Sequence, residues 1–242
     1  MSKGHAVLFS RPVAYGAGSR LQDRLNEARR LDRIPDTVLF LEHRPVVTLG
    51  RRQRNEHVLR SPEELAARGI AYHVSSRGGD VTYHGPGQLV MYPILRLGES
   101  EADARGYLFN LEEIAIRTAA GFGIDAFRRE GMSGAWTERG KLAAIGFHIR
   151  RWITLHGMSF NVREGLSGFD FIVGCGLVGE KVCSLESWLG EGTPELRGVR
   201  EVMLGAFSGV CGRELDPVGW EDARRGWEEA GVEIPSDEEL FF

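Results

Sequence analysis

The spacing of apolar and polar positions divides the chain into strand-like and helix-like stretches in irregular order. Ala6-Val7-Leu8-Phe9 is an apolar run of edge-strand length, and Leu21, Leu25 and Ala28 recur on one helical face, predicting a helix from a Ser19 cap to about Leu31. Thr37–Leu41 and Val46–Leu49 are β-rich runs parted by Glu42-His43-Arg44-Pro45, and they predict a strand pair. Ser61-Pro62-Glu63-Glu64 is a capping box with proline at the first helical position, and Gly69 ends that helix before residues 70–74 extend as a strand. Residues 88–92 form a further strand that Pro93, lacking an amide donor, should stop. Leu108, Leu111, Ile114, Ala115 and Thr118 carry the clearest helical period. Residues 141–149 and 152–162 predict a hairpin about Arg150-Arg151, and positions 199–210 a late amphipathic helix. Without regular βαβ alternation, this order predicts an α+β fold with a mixed, largely antiparallel sheet flanked by helices. Residues 1–242 are expected to be a single catalytic domain, with the acidic stretch 217–242 a candidate C-terminal appendage packed by Trp220 and Trp227.

Composition narrows the function classes. A hydrophobic share of 42% with 26% charged residues is that of a soluble globular protein, and a net charge of −4 with both signs interspersed leaves no footprint for nucleic acid or an anionic membrane. No apolar run approaches the ~20 residues of a membrane span, and the N-terminus lacks a signal-type apolar core, so a cytoplasmic protein is expected. Cys175, Cys183 and Cys211 form no CxxC pair, and the histidines have no ligand spacing, which argues against a disulfide framework or a metal site.

The chemistry concentrates in two places. From Arg77 to Pro93 four glycines stand among an arginine, an aspartate, a tyrosine and a histidine; Gly78-Gly79 lets backbone approach a ligand, although a plain glycine-turn hairpin competes with that reading. Cys175, flanked by Gly174 and Gly176, is the candidate nucleophile, whereas Cys183 and Cys211 sit in apolar periodic contexts. An ordinary thiol is only ~3% thiolate at neutral pH, so it needs a basic or positive neighbour. His84, His148, His156 and Lys141 are the candidates; the residues by themselves favour a histidine, while Lys141 opens the apolar run Leu142-Ala143-Ala144-Ile145. Gly174 to Lys181 has the glycine interval of a phosphate loop, but Glu180 stands where the lysine must be, and no nucleotide or other cofactor is indicated. Arg51-Arg52-Gln53-Arg54 is a basic run that either docks an acidic partner or is simply solvated.

Taken together, the motifs resemble the lipoyl(octanoyl) transferases across roughly residues 37–185. The resemblance rests on Glu42 through Gly50, on Arg77-Gly78-Gly79-Asp80-Val81-Thr82-Tyr83-His84-Gly85-Pro86-Gly87-Gln88-Leu89, on Lys141 through Gly146, on His156-Gly157, and on Gly174-Cys175-Gly176 with Ser184-Leu185. It implies the fold of the biotin and lipoate protein ligases. It also implies octanoyl transfer from octanoyl-acyl carrier protein, through a cysteine thioester, to a lysine of lipoyl domains, in 2-oxoacid dehydrogenase complexes and the glycine cleavage H protein. By the same resemblance Cys175 is the nucleophile and Lys141, rather than a histidine, its partner. The acyl-binding positions would be Arg77, Gly78, Gly79, Asp80, Val81, Thr82, Tyr83, His84, Ala144, Ile145, Gly146, Gly157, Met158 and Ser159. A monomer without metal or cofactor is expected. Gly174 stands where the family commonly has proline, and Arg44 where proline is frequent. An ATP-dependent lipoate ligase and a non-catalytic binding module of the same fold are the rival readings; the cysteine together with Lys141 favours the transferase.

Overall fold

The computed structural model of the chain describes residues 3–52, 54–163, 165–173 and 180–242. In chain order the elements begin β1 (Gly4–Leu8), α1 (Tyr15–Arg30), β2 (Thr37–Leu41), β3 (Val46–Leu49), α2 (Pro62–Ala66) and β4 (Ala71–Val74). They continue with β5 (Val81–His84), β6 (Gln88–Ile94), α3 (Ala104–Ala120), β7 (Phe127–Arg129), β8 (Met132–Thr137), β9 (Gly140–Arg150) and β10 (Ile153–Asn161). The last are α4 (Glu186–Leu189), α5 (Leu196–Cys211), β11 (Leu215–Gly219), α6 (Trp220–Glu229) and α7 (Asp237–Phe241). Among the described residues the strands form an eight-stranded sheet, β11-β1-β2-β6-β10-β9-β8-β7, and a three-stranded one, β4-β3-β5. In the large sheet only β11–β1 and β1–β2 run parallel, so it is mixed and largely antiparallel, as expected from the absence of βαβ units.

Helices cover both faces of the large sheet. On one, Leu111 and Ile114 of α3 and Met203 and Phe207 of α5 bury against Phe40, Met91 and Phe160. On the other, Leu21 and Leu25 of α1 meet Leu39, Val90 and Ile94. Each such side chain taken out of water contributes roughly 1.5–3 kcal/mol. The small sheet has its own core of Val47, Leu49, Leu65, Val81 and Tyr83.

Four details depart from the sequence expectations. Helix α1 begins at Tyr15 rather than after Ser19, because tertiary partners hold its start: the Ala14 amide donates to Leu240 O (2.7 Å) and Tyr15 Oη lies 2.7 Å from Ser75 Oγ. Strands β2 and β3 do not pair; they separate into the two sheets. Strand β1, read as an edge, lies between β11 and β2. Strand β6 runs through Pro93 instead of stopping there, since β10 pairs with it only as far as Met158–Met91, leaving no ladder bond on that side for the proline to break. Residues 217–242 supply part of β11 and then α6 and α7, whose Trp220, Trp227 and Phe241 are buried against the α1 face.

Candidate active site

A cavity of about 800 Å³ opens between the two sheets, within the ~300–1,000 Å³ of ligand pockets. One wall is the loop before β5 together with that strand: Arg77, Gly78, Gly79, Asp80, Thr82 and His84. The other is the β9–β10 hairpin, with Lys141, Ala144, Ile145, Gly146, Phe147, His156, Gly157, Met158 and Ser159. Leu108 and Glu112 of α3, Met132 of β8 and Arg52 and Arg128 add to the lining. The sequence motifs, up to 82 residues apart (159 − 77), thus meet in one cavity. Val81 and Tyr83 do not line it: alternate strand residues point to opposite faces, and these two fill the small-sheet core. Tyr92, Phe147, Leu108 and Met132 line the cavity without having been singled out in the sequence, where their apolar positions look like ordinary core.

Glycine makes the walls possible. The Gly78 amide donates to Phe147 O (2.9 Å), and a Cβ on Gly146 would stand 2.8 Å from Gly78 O. A Cβ on Gly157 would stand 2.3 Å from Met91 O, so β10 can lie this close to β6 only with glycine there. Arg77, 6% exposed, is clamped to β3: Nε donates to Thr48 Oγ1 (3.1 Å), and Nη2 to Thr48 O (2.7 Å) and Oγ1 (2.8 Å).

His156 is held at φ +58°, an uncommon setting for a non-glycine residue. Its amide donates to Gln22 Oε1 of α1 (2.8 Å), and its Nε2 lies 2.9 Å from Ser76 Oγ. Beneath the cavity, His43 Nδ1–H donates to Val13 O (2.8 Å), so its Nε2 must accept from the Tyr92 hydroxyl (2.7 Å). His84 Nδ1–H donates to Gln88 Oε1 (3.0 Å).

Burial sets the protonation of these rings. It pushes His43 down to about 4 and His156 to about 3, with Arg77 adding to the effect on His156, and holds His84 well below its usual value. His148 is lowered too, again mainly by burial. All four are neutral at pH 7, so none offers the standing positive charge that would stabilise a thiolate. Lys141 is the cationic side chain of the hairpin wall; it is 7% exposed, with Nζ 5.1 Å from the Trp136 ring centroid. Its main chain is tied to the segment following residue 179: the Lys141 amide donates to Lys181 O (2.8 Å) and the Cys183 amide to Lys141 O (3.0 Å).

The depressed histidines carry a stability prediction. Their folded values lie below the ~6.5 of an unfolded chain, so their contribution is complete above pH 6.5 and is lost as pH falls toward about 4 and 3. Each of His43 and His156 should steepen that fall by about 1.4 kcal/mol per pH unit. Urea midpoints should be flat from pH 8 to 7 and drop from pH 6.5 to 5, less steeply in His156→Gln; midpoints unchanged down to pH 5 would refute the neutral assignment.

Cys175, like Gly174 and Gly176, lies outside the described residues. The other two cysteines are poor nucleophiles. Cys183 is buried with Sγ 3.3 Å from Thr137 Oγ1, and burial pushes its thiol up; burial pushes Cys211 to about 11. Among the described residues no helix is long and apolar enough to cross a membrane, and no cluster of His, Cys, Asp or Glu could hold a metal ion.

Residues 15–208 match the lipoyl protein ligase A/B catalytic domain. An octanoyltransferase of Chloroflexus aurantiacus is 44% identical over 205 residues, 84% of this chain and 92% of that protein. One of Acidobacterium capsulatum is 50% identical over 187 residues, 72% and 76% of the two chains. Among solved structures, a lipoate-protein ligase A bound with ATP superposes with TM-score 0.69 at 15% identity over 98% of both chains. The biotin protein ligase of Aquifex aeolicus superposes with TM-score 0.51 at 12% identity over 85% of this chain and 69% of its own. At such low identity these two speak for the fold alone, whereas the curated sequences and the domain match carry the family: the chain belongs to the lipoyl protein ligase A/B catalytic-domain family, on its octanoyltransferase side.

Proposed function

We propose that the protein transfers an octanoyl group from octanoyl-acyl carrier protein to the lysine amine of a lipoyl domain, by way of a thioester on Cys175. The observation that carries this reading is the placement of Lys141, a buried lysine in a cavity whose histidines are neutral, with its backbone paired to Lys181, six residues beyond Cys175 (181 − 175). Two residues before Cys175, the Val173 amide donates to His57 O (2.8 Å), and on the far side Glu180 pairs with Arg129 at 2.7 Å. The chain therefore enters and leaves residues 174–179 beside the cavity.

In the first step the Cys175 thiolate attacks the thioester carbonyl; the new carbon–sulfur bond forms as the bond to the carrier's sulfur breaks, and the carrier thiolate takes up the proton of the Lys141 ammonium, leaving a neutral amine. In the second, the lipoyl-domain amine attacks the Cys175 thioester, an amide forms, and the cysteine sulfur leaves. The proton lost by the amine passes to the neutral Lys141 amine, which restores the ammonium beside the departing Cys175 thiolate. Lys141 thus stabilises the thiolate in both steps and accepts a proton in the second. Ala144, Ile145, Met158 and the lining side chains Leu108, Met132 and Phe147 would sheath the alkyl chain, while Arg77, Gly78 and Gly79 bring polar backbone and a cation toward the thioester.

An ATP-dependent ligase of this fold would need a nucleotide and would use a free acid. Incubation with octanoyl-acyl carrier protein and an apo lipoyl domain without ATP should add one octanoyl group to the domain. Modification that requires ATP and free octanoate would overturn the transferase reading.

A further inference from the structure

Asp80 is the one member of the Arg-Gly-Gly-Asp run whose charge the transfer reaction leaves unused. It is 4% exposed, and a carboxylate so buried is costly unless paired. Its Oδ2 accepts from His57 Nδ1–H, and its Oδ1 from the Arg54 amide (3.3 Å). His57 stands in a short helical turn, Asn55–His57, and its carbonyl accepts the Val173 amide at 2.8 Å. Leu59 N donates to Phe171 O (2.8 Å), and Val58 bridges Ile172. The loop behind it is held to the same run: the Gly50 amide donates to Asp80 O (2.8 Å) and the Arg52 amide to Gly79 O (3.1 Å). One side-chain hydrogen bond therefore links the glycine-rich cavity wall, through His57, to the last described residue before Gly174-Cys175-Gly176.

We propose that Asp80 and His57 form a positioning pair, which registers the chain entering residues 174–179 against the acyl pocket. The proposal rests on Cys175 being the nucleophile. Neither side chain needs to touch the reacting atoms; together they hold Val173, and a displacement of about 1 Å at a reacting group can cost about 10²-fold in rate. Because both act through one contact, their losses should not add.

The test uses the full chain and the thioester of octanoate with N-acetylcysteamine, a donor too small to need a protein docking surface. Single-turnover acylation of Cys175, followed by intact mass and peptide mapping, should be slowed about 10- to 100-fold in Asp80→Ala and His57→Ala. The double variant should lose no more than either. His57→Asn, which keeps a donor at the Nδ1 position for Oδ2, should recover to within a few-fold of the parent, and it also serves if the alanine variants do not fold. In His57→Ala, whose side chain lies outside the cavity lining, the donor concentration for half-saturation should change little. Alkylation of Cys175 by iodoacetamide at pH 9, which needs no registered acyl group, should stay within about twofold of the parent. Parent-like acylation in either single variant, additive losses in the double variant, or an alkylation rate that falls in step with acylation would overturn the pair. Acylation of the parent at a residue other than Cys175 would overturn the nucleophile assignment itself, and it would show before any variant is compared.

Discussion

Lys141→Ala should lower octanoyl transfer by about 10³-fold. With an ordinary pKa a cysteine is only ~3% thiolate at pH 7, and a neighbouring cation that lowers it by about two units raises that share to roughly three quarters. Losing the cation therefore removes about 25-fold of the nucleophile, and losing the proton acceptor removes about another 10²-fold. Lys141→Arg separates the two effects, because a guanidinium keeps its charge but does not give up its proton. That variant should retain part of the alkylation of Cys175 by iodoacetamide near neutral pH and still fail in transfer, whereas Lys141→Ala should lose both. His84 and His156 would become the partners to test if Lys141→Ala left the pH profile of alkylation and the transfer rate unchanged. Their depressed pKa values make that outcome unexpected.

Gly134→Ala, one residue beyond the cavity-lining Ser133, should damage both fold and activity. Gly134 lies on β8 at φ +123°, its amide donating to Glu112 Oε1 (3.1 Å). An added Cβ would stand 2.4 Å from the Ala143 carbonyl oxygen and 2.7 Å from Lys141 Cε. The first contact is with backbone and forces β8 and β9 apart; the second displaces the lysine. A stability loss of about 2–4 kcal/mol is expected from backbone strain together with overpacking, and at least 10-fold slower transfer by the fraction that folds. Gly123→Ala is the control, since at φ +72° its Cβ would meet nothing within 4 Å. Its strain alone should cost about 1–2 kcal/mol. Equal urea midpoints for the two variants would show that the contacts at Gly134 are relieved without cost.

The parts of this fold set by local pattern were legible in the sequence. The Ser61 box is present as a reciprocal pair, with Glu64 N donating to Ser61 Oγ (3.3 Å) and Ser61 N to Glu64 Oε2 (2.8 Å), and α3 and the β9–β10 hairpin lie where their periods put them. What misled was decided by partners distant in sequence. The start of α1 is held by Leu240 and Ser75, and Pro93 sits inside a strand because the β10 ladder is interrupted beside it. The site divides in the same way. Arg77 through Asp80 and the hairpin glycines stood out as positions where backbone could approach a ligand, in competition with a plain glycine-turn hairpin, and they line one cavity. Val81 and Tyr83 belong to the same motif in sequence but not in space, because a strand turns alternate residues away. His57 carried no signal at all, since its importance lies in meeting Asp80 and Val173, 23 and 116 residues further on (80 − 57, 173 − 57).

The most direct test of the central claim is the mass of the protein after brief exposure to octanoyl-acyl carrier protein, with no lipoyl domain present. The expected result is one octanoyl adduct, mapped by peptide fragmentation to Cys175, discharged when apo lipoyl domain is added, absent from Cys175→Ala and retained in Cys183→Ala and Cys211→Ala. An adduct that persists in Cys175→Ala, or transfer to the lipoyl domain at the parent rate by that variant, would contradict the account.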